Sequence, residues 1–272
     1  MNKYGTTSSS IALATQISIE HNIKVLLIST SLNDTLMKDS FWQEKKKKTF
    51  GIFTASNVNS IDRNGVEGLD RIIRSNKLSP EIITDYTEIV LTNRLEILLG
   101  LEGTSEQYDS IKERYPQIIS LANKYYDLVI VDLDPKVGEQ TELDILKASD
   151  VIVAMVSQRA KQIKKIQQII AKRDILKEEN TVMAIGKYME NTKYNAKNIT
   201  RNLLKRKNLI NTIPYNNLFF EASQEGKVVD LFLKFMGLKE RDTNYIFVKE
   251  LKRLYETIQE KLKTSTIIYN YY

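Results

Sequence analysis

Short, mostly apolar runs recur along the chain, and stretches with helical spacing separate them. Ile23–Ile28, Leu95–Gly100, Asp127–Asp132, Asp150–Val156, Thr181–Ile185 and Leu209–Pro214 read as strands. The central run Leu128–Val131, with no polar alternation, suits a strand buried on both faces of a parallel sheet. Helical spacing predicts helices over Ile11–Ile19, Gly65–Lys77, Ser105–Lys124, Glu142–Ala148, Ala160–Leu176, Asn198–Lys205, Val228–Phe235 and Tyr245–Lys263. The last carries Phe247, Leu251, Leu254, Ile258 and Leu262 on one stripe, a face that docks on a core. From Leu32 to about Ser60 the periodicity is lost.

Strand and helix alternate throughout. That order predicts right-handed βαβ crossovers and an α/β fold: one doubly wound, mostly parallel sheet with helices on both faces. No Pro/Gly/Ser linker and no repeat divides the chain, so residues 1–272 are expected to form one domain with the 245–263 helix docked on it.

Charge changes the picture at two places. The strand Leu128–Val131 ends in Asp132-Leu133-Asp134-Pro135, with carboxylates only at its C-terminal end. Open α/β sheets bind ligands there, and a carboxylate in that position can hold a hydrated Mg2+ beside phosphates. The plainer reading is that Asp132 caps the following turn. Near the N-terminus, Gly5-Thr6-Thr7-Ser8 runs into the first helix, giving either ordinary N-caps or a phosphate cradle of free N–H groups at a helix start.

Composition removes several function classes. The chain has 272 residues with 42% hydrophobic and 27% charged, no cysteine and one histidine, His21. That excludes disulfides, thiolate metal sites and a Cys nucleophile, and leaves no His-rich metal site. No apolar run approaches a membrane span, and no signal-like segment opens the chain, so a cytoplasmic protein is expected. The net charge is +6, and Lys187, Lys193, Lys197, Arg201, Lys205, Arg206 and Lys207 lie close together against the single acid Glu190. Such a stretch is a solvated basic helix or a phosphate-backbone contact surface. The run Lys45–Lys48 reads as a solvated loop.

Several of these signals fall in one order. Gly5-Thr6-Thr7-Ser8 before Ile11-Ala12-Leu13-Ala14, the strand Lys24–Ile28, Tyr125–Asp132 with Pro135 and Gly138 behind it, and Ala148–Val153 together resemble the deviant Walker P-loop ATPases of the ParA/MinD family. So does the late series Ile213-Pro214-Tyr215-Asn216, Glu221-Ala222-Ser223 and Gly226-Lys227-Val228-Val229. The likeness spans nearly the whole chain. It departs from the family at the start: the strand and Lys-Gly-Gly that precede the family's loop have no counterpart, and Thr6 stands where the loop lysine belongs. Without that strand, two inner strands of the sheet would each lack a neighbour. Ser29 and Ser31 occupy the family's acidic positions after the second strand, with Asp34 the nearest acid, and Gly186 replaces an asparagine that contacts adenine.

The resemblance implies an ATP- and Mg2+-binding protein that dimerises and serves in DNA partitioning or subcellular positioning. Gly5, Thr6, Thr7, Ser8, Pro214 and Tyr215 would bind the nucleotide. Thr7 and Asp132 would serve the metal, and Asp132 and Asp134 hydrolysis. Lys193, Lys197, Arg201, Lys205 and Arg206 would hold nonspecific DNA, with a DNA-binding or positioning adaptor as partner. Three alternatives stay open: a degenerate member that acts as a partner-binding scaffold, a pilus- or secretion-associated relative, and a tyrosine kinase of the same lineage suggested by Tyr269, Tyr271 and Tyr272.

Overall fold

The computed structural model describes residues 5–43, 65–75, 79–177, 179–203 and 210–269. In chain order the elements are α1 (Thr6–Glu20), β1 (Val25–Ser29), α2 (Leu36–Phe41), α3 (Gly65–Arg74), β2 (Glu88–Leu91), β3 (Leu95–Leu98), α4 (Ser105–Ile111), α5 (Tyr115–Ala122), β4 (Leu128–Asp132) and α6 (Glu139–Ala148). Then follow β5 (Ile152–Val156), α7 (Ala160–Lys172), β6 (Thr181–Tyr188), α8 (Ala196–Leu203), β7 (Asn211–Pro214), α9 (Asn217–Gln224), α10 (Val228–Phe235) and α11 (Tyr245–Tyr269). The fold is α/β and mostly parallel. Two compact units contain these elements: Met1–Ile17 with Leu146–Phe220 and Asp230–Tyr272, here the Gly5 unit, and Ser18–Ile145 with Glu221–Val229, the Asp132 unit.

In the Asp132 unit the strand order is β2-β3-β1-β4. β1 is buried along its whole length and pairs in parallel with β3 on one side and β4 on the other, placing Ser29 opposite Asp132. β2 adds to β3 antiparallel, as an edge strand with Glu88 and Ile89 exposed. Leu26, Ile28, Leu69, Ile83, Leu98 and Tyr115 form the centre of this unit's core. Asp70, 6% exposed, pairs with Arg74 within α3 at 2.8 Å and ties the helix to Arg114, between α4 and α5, at 3.2 Å.

The helix expected over Ser105–Lys124 is two helices joined by a 3-10 turn at Lys112–Arg114. Pro116 lies in the first turn of α5, where its missing N–H costs nothing, and continuing α4 through it would remove a helical bond. At the other end, Thr104 caps α4 in a reciprocal box with Gln107.

In the Gly5 unit β5, β6 and β7 are parallel in that order. α7 and α8 pack on them through Ile163, Ile199, Met183 and Ile185. Among the described residues the strands form hydrogen-bonded sets of four and three strands. Among the described residues β4 pairs only with β1, and β5 only with β6. α11 docks along β7 as its apolar stripe predicts: Phe247 and Leu251 are buried, and Thr212 Oγ1 donates to Glu250 at 2.6 Å. Phe219, Phe232 and Phe247 form a ring cluster with centroids 5.4–6.2 Å apart. Each such ring contributes on the order of 1.5–3 kcal/mol by leaving water.

Candidate nucleotide site

α1 begins earlier than its apolar spacing suggests. The hydroxyl run Thr6–Ser10 forms its first turns instead of preceding it, and Gly5 stands at the cap, its carbonyl accepting from Ser9 N at 2.8 Å. Gly5 has φ +81°, a left-handed conformation that a side chain would strain. The N–H groups of Thr6, Thr7 and Ser8 are those that a helix cannot satisfy internally, and no acidic residue lies in this first turn. Ile11, Ala12 and Ala14 are fully buried behind them. The helix dipole adds positive potential at the same end, so the geometry suits an anion.

In the same unit, β6 ends beside this turn. Lys187 has φ +50°, and its side chain lies against Gly5: a Cβ built there would sit 3.3 Å from its Cγ and 3.6 Å from its Cε. The next residue, Tyr188, accepts a hydrogen bond from Tyr215 N at 3.1 Å and is in register with Pro214. One line of contacts thus connects Gly5, Lys187, Tyr188 and the Pro214-Tyr215 pair. Tyr215 is 48% exposed, and its ring lies 6.4 Å from that of Phe220. Sequence reasoning placed Lys187 only in the basic stretch. Its contact with Gly5 joins residues far apart in the chain and has no local signal.

The basic surface is built on α8. Asn195 caps this helix by accepting from Asn198 N at 3.0 Å, which starts it before the expected Asn198. Ala196, Ile199 and Thr200 face inward, leaving Lys197 and Arg201 exposed one turn apart. Lys193 lies 5.3 Å over the Tyr194 ring. Gln158 holds the preceding loop, donating to Met189 O at 2.8 Å and Tyr194 O at 3.0 Å. Lys205 and Arg206 lie outside the described residues.

The Asp132 unit holds the acidic candidates. Asp132 is 4% exposed at the end of β4. Its carbonyl accepts from both Thr30 N and Thr30 Oγ1 at 3.1 Å. Thr30 Oγ1 in turn accepts from Asp134 N at 2.7 Å, and Tyr108 donates to Thr30 O at 2.5 Å. Thr30 therefore ties the end of β1 to the loop after β4, a role that the Ser29-Thr30-Ser31 run hints at only as a cluster of hydroxyls. Asp134 caps the turn Pro135–Val137 by accepting from Lys136 N at 2.9 Å. Burial, then the charges of Asp134 and Asp109, push the Tyr108 phenol above its ordinary value, so it is a neutral donor.

Neither a family model nor a curated protein sequence matches the chain. Solved structures do. A ParA family ATPase from Chlorobium tepidum TLS superposes with a TM-score of 0.66 at 15% identity, covering 96% of this chain and 95% of that one. The septum site-determining protein MinD of Pyrococcus horikoshii OT3, complexed with Mg-ADP, gives 0.62 at 13% identity over 96% and 95%. A putative plasmid partition protein of Borrelia burgdorferi B31 bound to AMPPNP gives 0.56 at 15% identity, with 96% of each chain covered. The chain has the ParA/MinD fold. At this identity the likeness establishes the fold, and the residues must argue for the rest.

The residues present fit the triphosphate end of a nucleotide at α1. Gly5 lets the backbone approach closely, the first-turn N–H groups point outward from the helix, and hydroxyls line the turn. Among the described residues no cluster of three or more His, Cys, Asp or Glu could hold a metal. A magnesium ion in a ParA/MinD fold would rely on phosphate oxygens, water and a hydroxyl such as Thr7, which suits its preference for hydrated sites. No described helix is long and apolar enough to cross a membrane.

Proposed function

We propose that this protein binds an adenine nucleotide with Mg2+ and uses it, as a dimer, in DNA partitioning or subcellular positioning. One observation carries the reading. A helix start with a left-handed glycine and no acid in its first turn sits in a fold shared with MinD complexed with Mg-ADP. In this reading Gly5, Thr6, Thr7 and Ser8 hold the phosphates, and Pro214 and Tyr215 lie beside the base. Thr7 serves the metal and Asp132 one of its waters. Asp134 belongs to the loop that reports nucleotide state, and residues 1–272 act as one domain. The exposed cations Lys193, Lys197 and Arg201 would hold DNA without reading its sequence.

Titration with a fluorescent ATP analogue, with and without Mg2+, tests the reading. Mg2+-dependent binding that weakens in Asp132→Ala supports it. Equal affinity of wild type and Asp132→Ala in Mg2+ removes the metal assignment, and no binding at all removes the nucleotide.

A second reading has a specific observation behind it. Thr6 occupies the position of the loop lysine, so hydrolysis can be lost while the fold and its partner surfaces persist. Exposed Met189, Tyr215 and Phe220 would then serve an adaptor protein. Phosphate release separates the two: nucleotide binding without turnover identifies the scaffold.

A further inference from the structure

We propose that Lys187 supplies the cation that faces the nucleotide's phosphates, doing from the end of β6 what a lysine in the loop before α1 would otherwise do. The inference rests on the nucleotide reading of the α1 start.

The side chain of Lys187 runs along the cap of α1. Its Cγ, Cε and Cδ lie 3.3, 3.6 and 3.8 Å from the position a Gly5 Cβ would take. The ammonium is one bond beyond Cε, so it is held close to the helix start by a stem that is already in place. Only glycine at position 5 leaves room for that stem without displacing it.

The backbone directs the side chain there. Register between β6 and β7 shifts between Ile185 and Tyr188, and Lys187 takes up φ +50°. A non-glycine residue in this conformation is strained, so the surrounding structure has to hold the arrangement in place.

Charge makes the arrangement informative. Among the described residues no carboxylate pairs with Lys187, and α1 has no acid in its first turn. A cation therefore lies beside the positive end of a fifteen-residue helix with no counter-charge among the described residues, an unfavourable juxtaposition by itself. An anion between the ammonium and the first-turn N–H groups turns both terms favourable. Thr6, at the position of the loop lysine, offers no charge of its own, and Lys187 is the cation that the described residues bring to the cradle.

The test compares the full-length wild type with Lys187→Met and Lys187→Arg, using fluorescent ATP and ADP analogues in Mg2+ and with thermal melting as a folding control. Methionine keeps the apolar stem over Gly5 and removes the charge. Loss of a charge-assisted contact predicts at least about tenfold weaker ATP binding, with melting unchanged and most of the affinity kept in the arginine variant. The loss should be smaller for ADP. Adding Thr6→Lys to the methionine variant should restore binding. If wild type binds and Lys187→Met binds equally well, Lys187 is only a cover for Gly5 and the proposal is overturned. If wild type binds neither analogue, the nucleotide reading itself has failed.

Discussion

Thr30 Oγ1 accepts a hydrogen bond from Asp134 N at 2.7 Å, fastening the end of β1 to the loop that follows β4. The same hydroxyl donates to Asp132 O at 3.1 Å, so one buried side chain fixes the backbone on both sides of Leu133. Thr30→Val keeps the shape and leaves the Asp134 N–H without its partner. It should cost about 1–3 kcal/mol in urea unfolding. Thr30→Ser should retain most of that stability.

Gly226 gives a sharper case. Its φ is +66°, and an added Cβ would lie 2.7 Å from Trp42 C and 2.8 Å from Gln43 N. Both contacts are to backbone, so nothing flexible can yield. Gly226→Ala should lower stability by at least about 1–3 kcal/mol and reduce soluble yield, whereas Lys227→Ala, on an exposed neighbour, should stay within about 0.5 kcal/mol.

Alkaline stability follows from three tyrosines. Burial is the first cause that holds Tyr108, Tyr115 and Tyr126 above the ordinary phenol value, with Glu96 adding to it at Tyr126. Below the ordinary value of about 10 all three are neutral, folded or unfolded, and their contribution is fully present. Above it the unfolded phenols ionise first, so stability falls as pH rises toward the folded values. Circular dichroism against pH should show unfolding on the alkaline side, moved to higher pH in Tyr115→Phe. The Tyr115 hydroxyl is buried with no hydrogen-bond partner among the described residues, so that variant should also be at least as stable at neutral pH.

The α8 surface predicts a salt signature. If Lys197 and Arg201 each neutralise one DNA phosphate, Lys197→Ala with Arg201→Ala should lower the slope of log affinity against log salt by about 2. An unchanged slope in a filter-binding or anisotropy titration would remove this face from DNA contact.

Much of the fold was legible because buried parallel strands leave unbroken apolar runs. β1, β4, β5 and β6 announce themselves in this way, whereas β7 carries Asn211 and Thr212. β2 does not announce itself, since it is a four-residue edge strand whose Glu88 and Ile89 face solvent, and its pairing with β3 is long-range information. The hydroxyls of α1 misled for a related reason. Thr7, Ser9, Thr15, Gln16 and Ser18 are all buried, so polar residues lie on the inner faces of this helix and spacing alone cannot mark its start. At the site, Gly5 and Asp132 were readable as motif residues. Thr30 and Lys187 were not, because a hydroxyl clasping a neighbouring strand and a stem lying over a glycine are tertiary facts.

The single-sided pairing of β4 also bears on how the protein behaves in a tube. Leu128–Val131 carries no charge, no proline and no bulge, the devices by which terminal strands usually discourage other chains. Among the described residues no strand pairs with its other row of backbone groups. An uncovered row of this kind makes concentrated samples cohere, so the ease with which the protein stays dispersed becomes a readout of whether that row is covered.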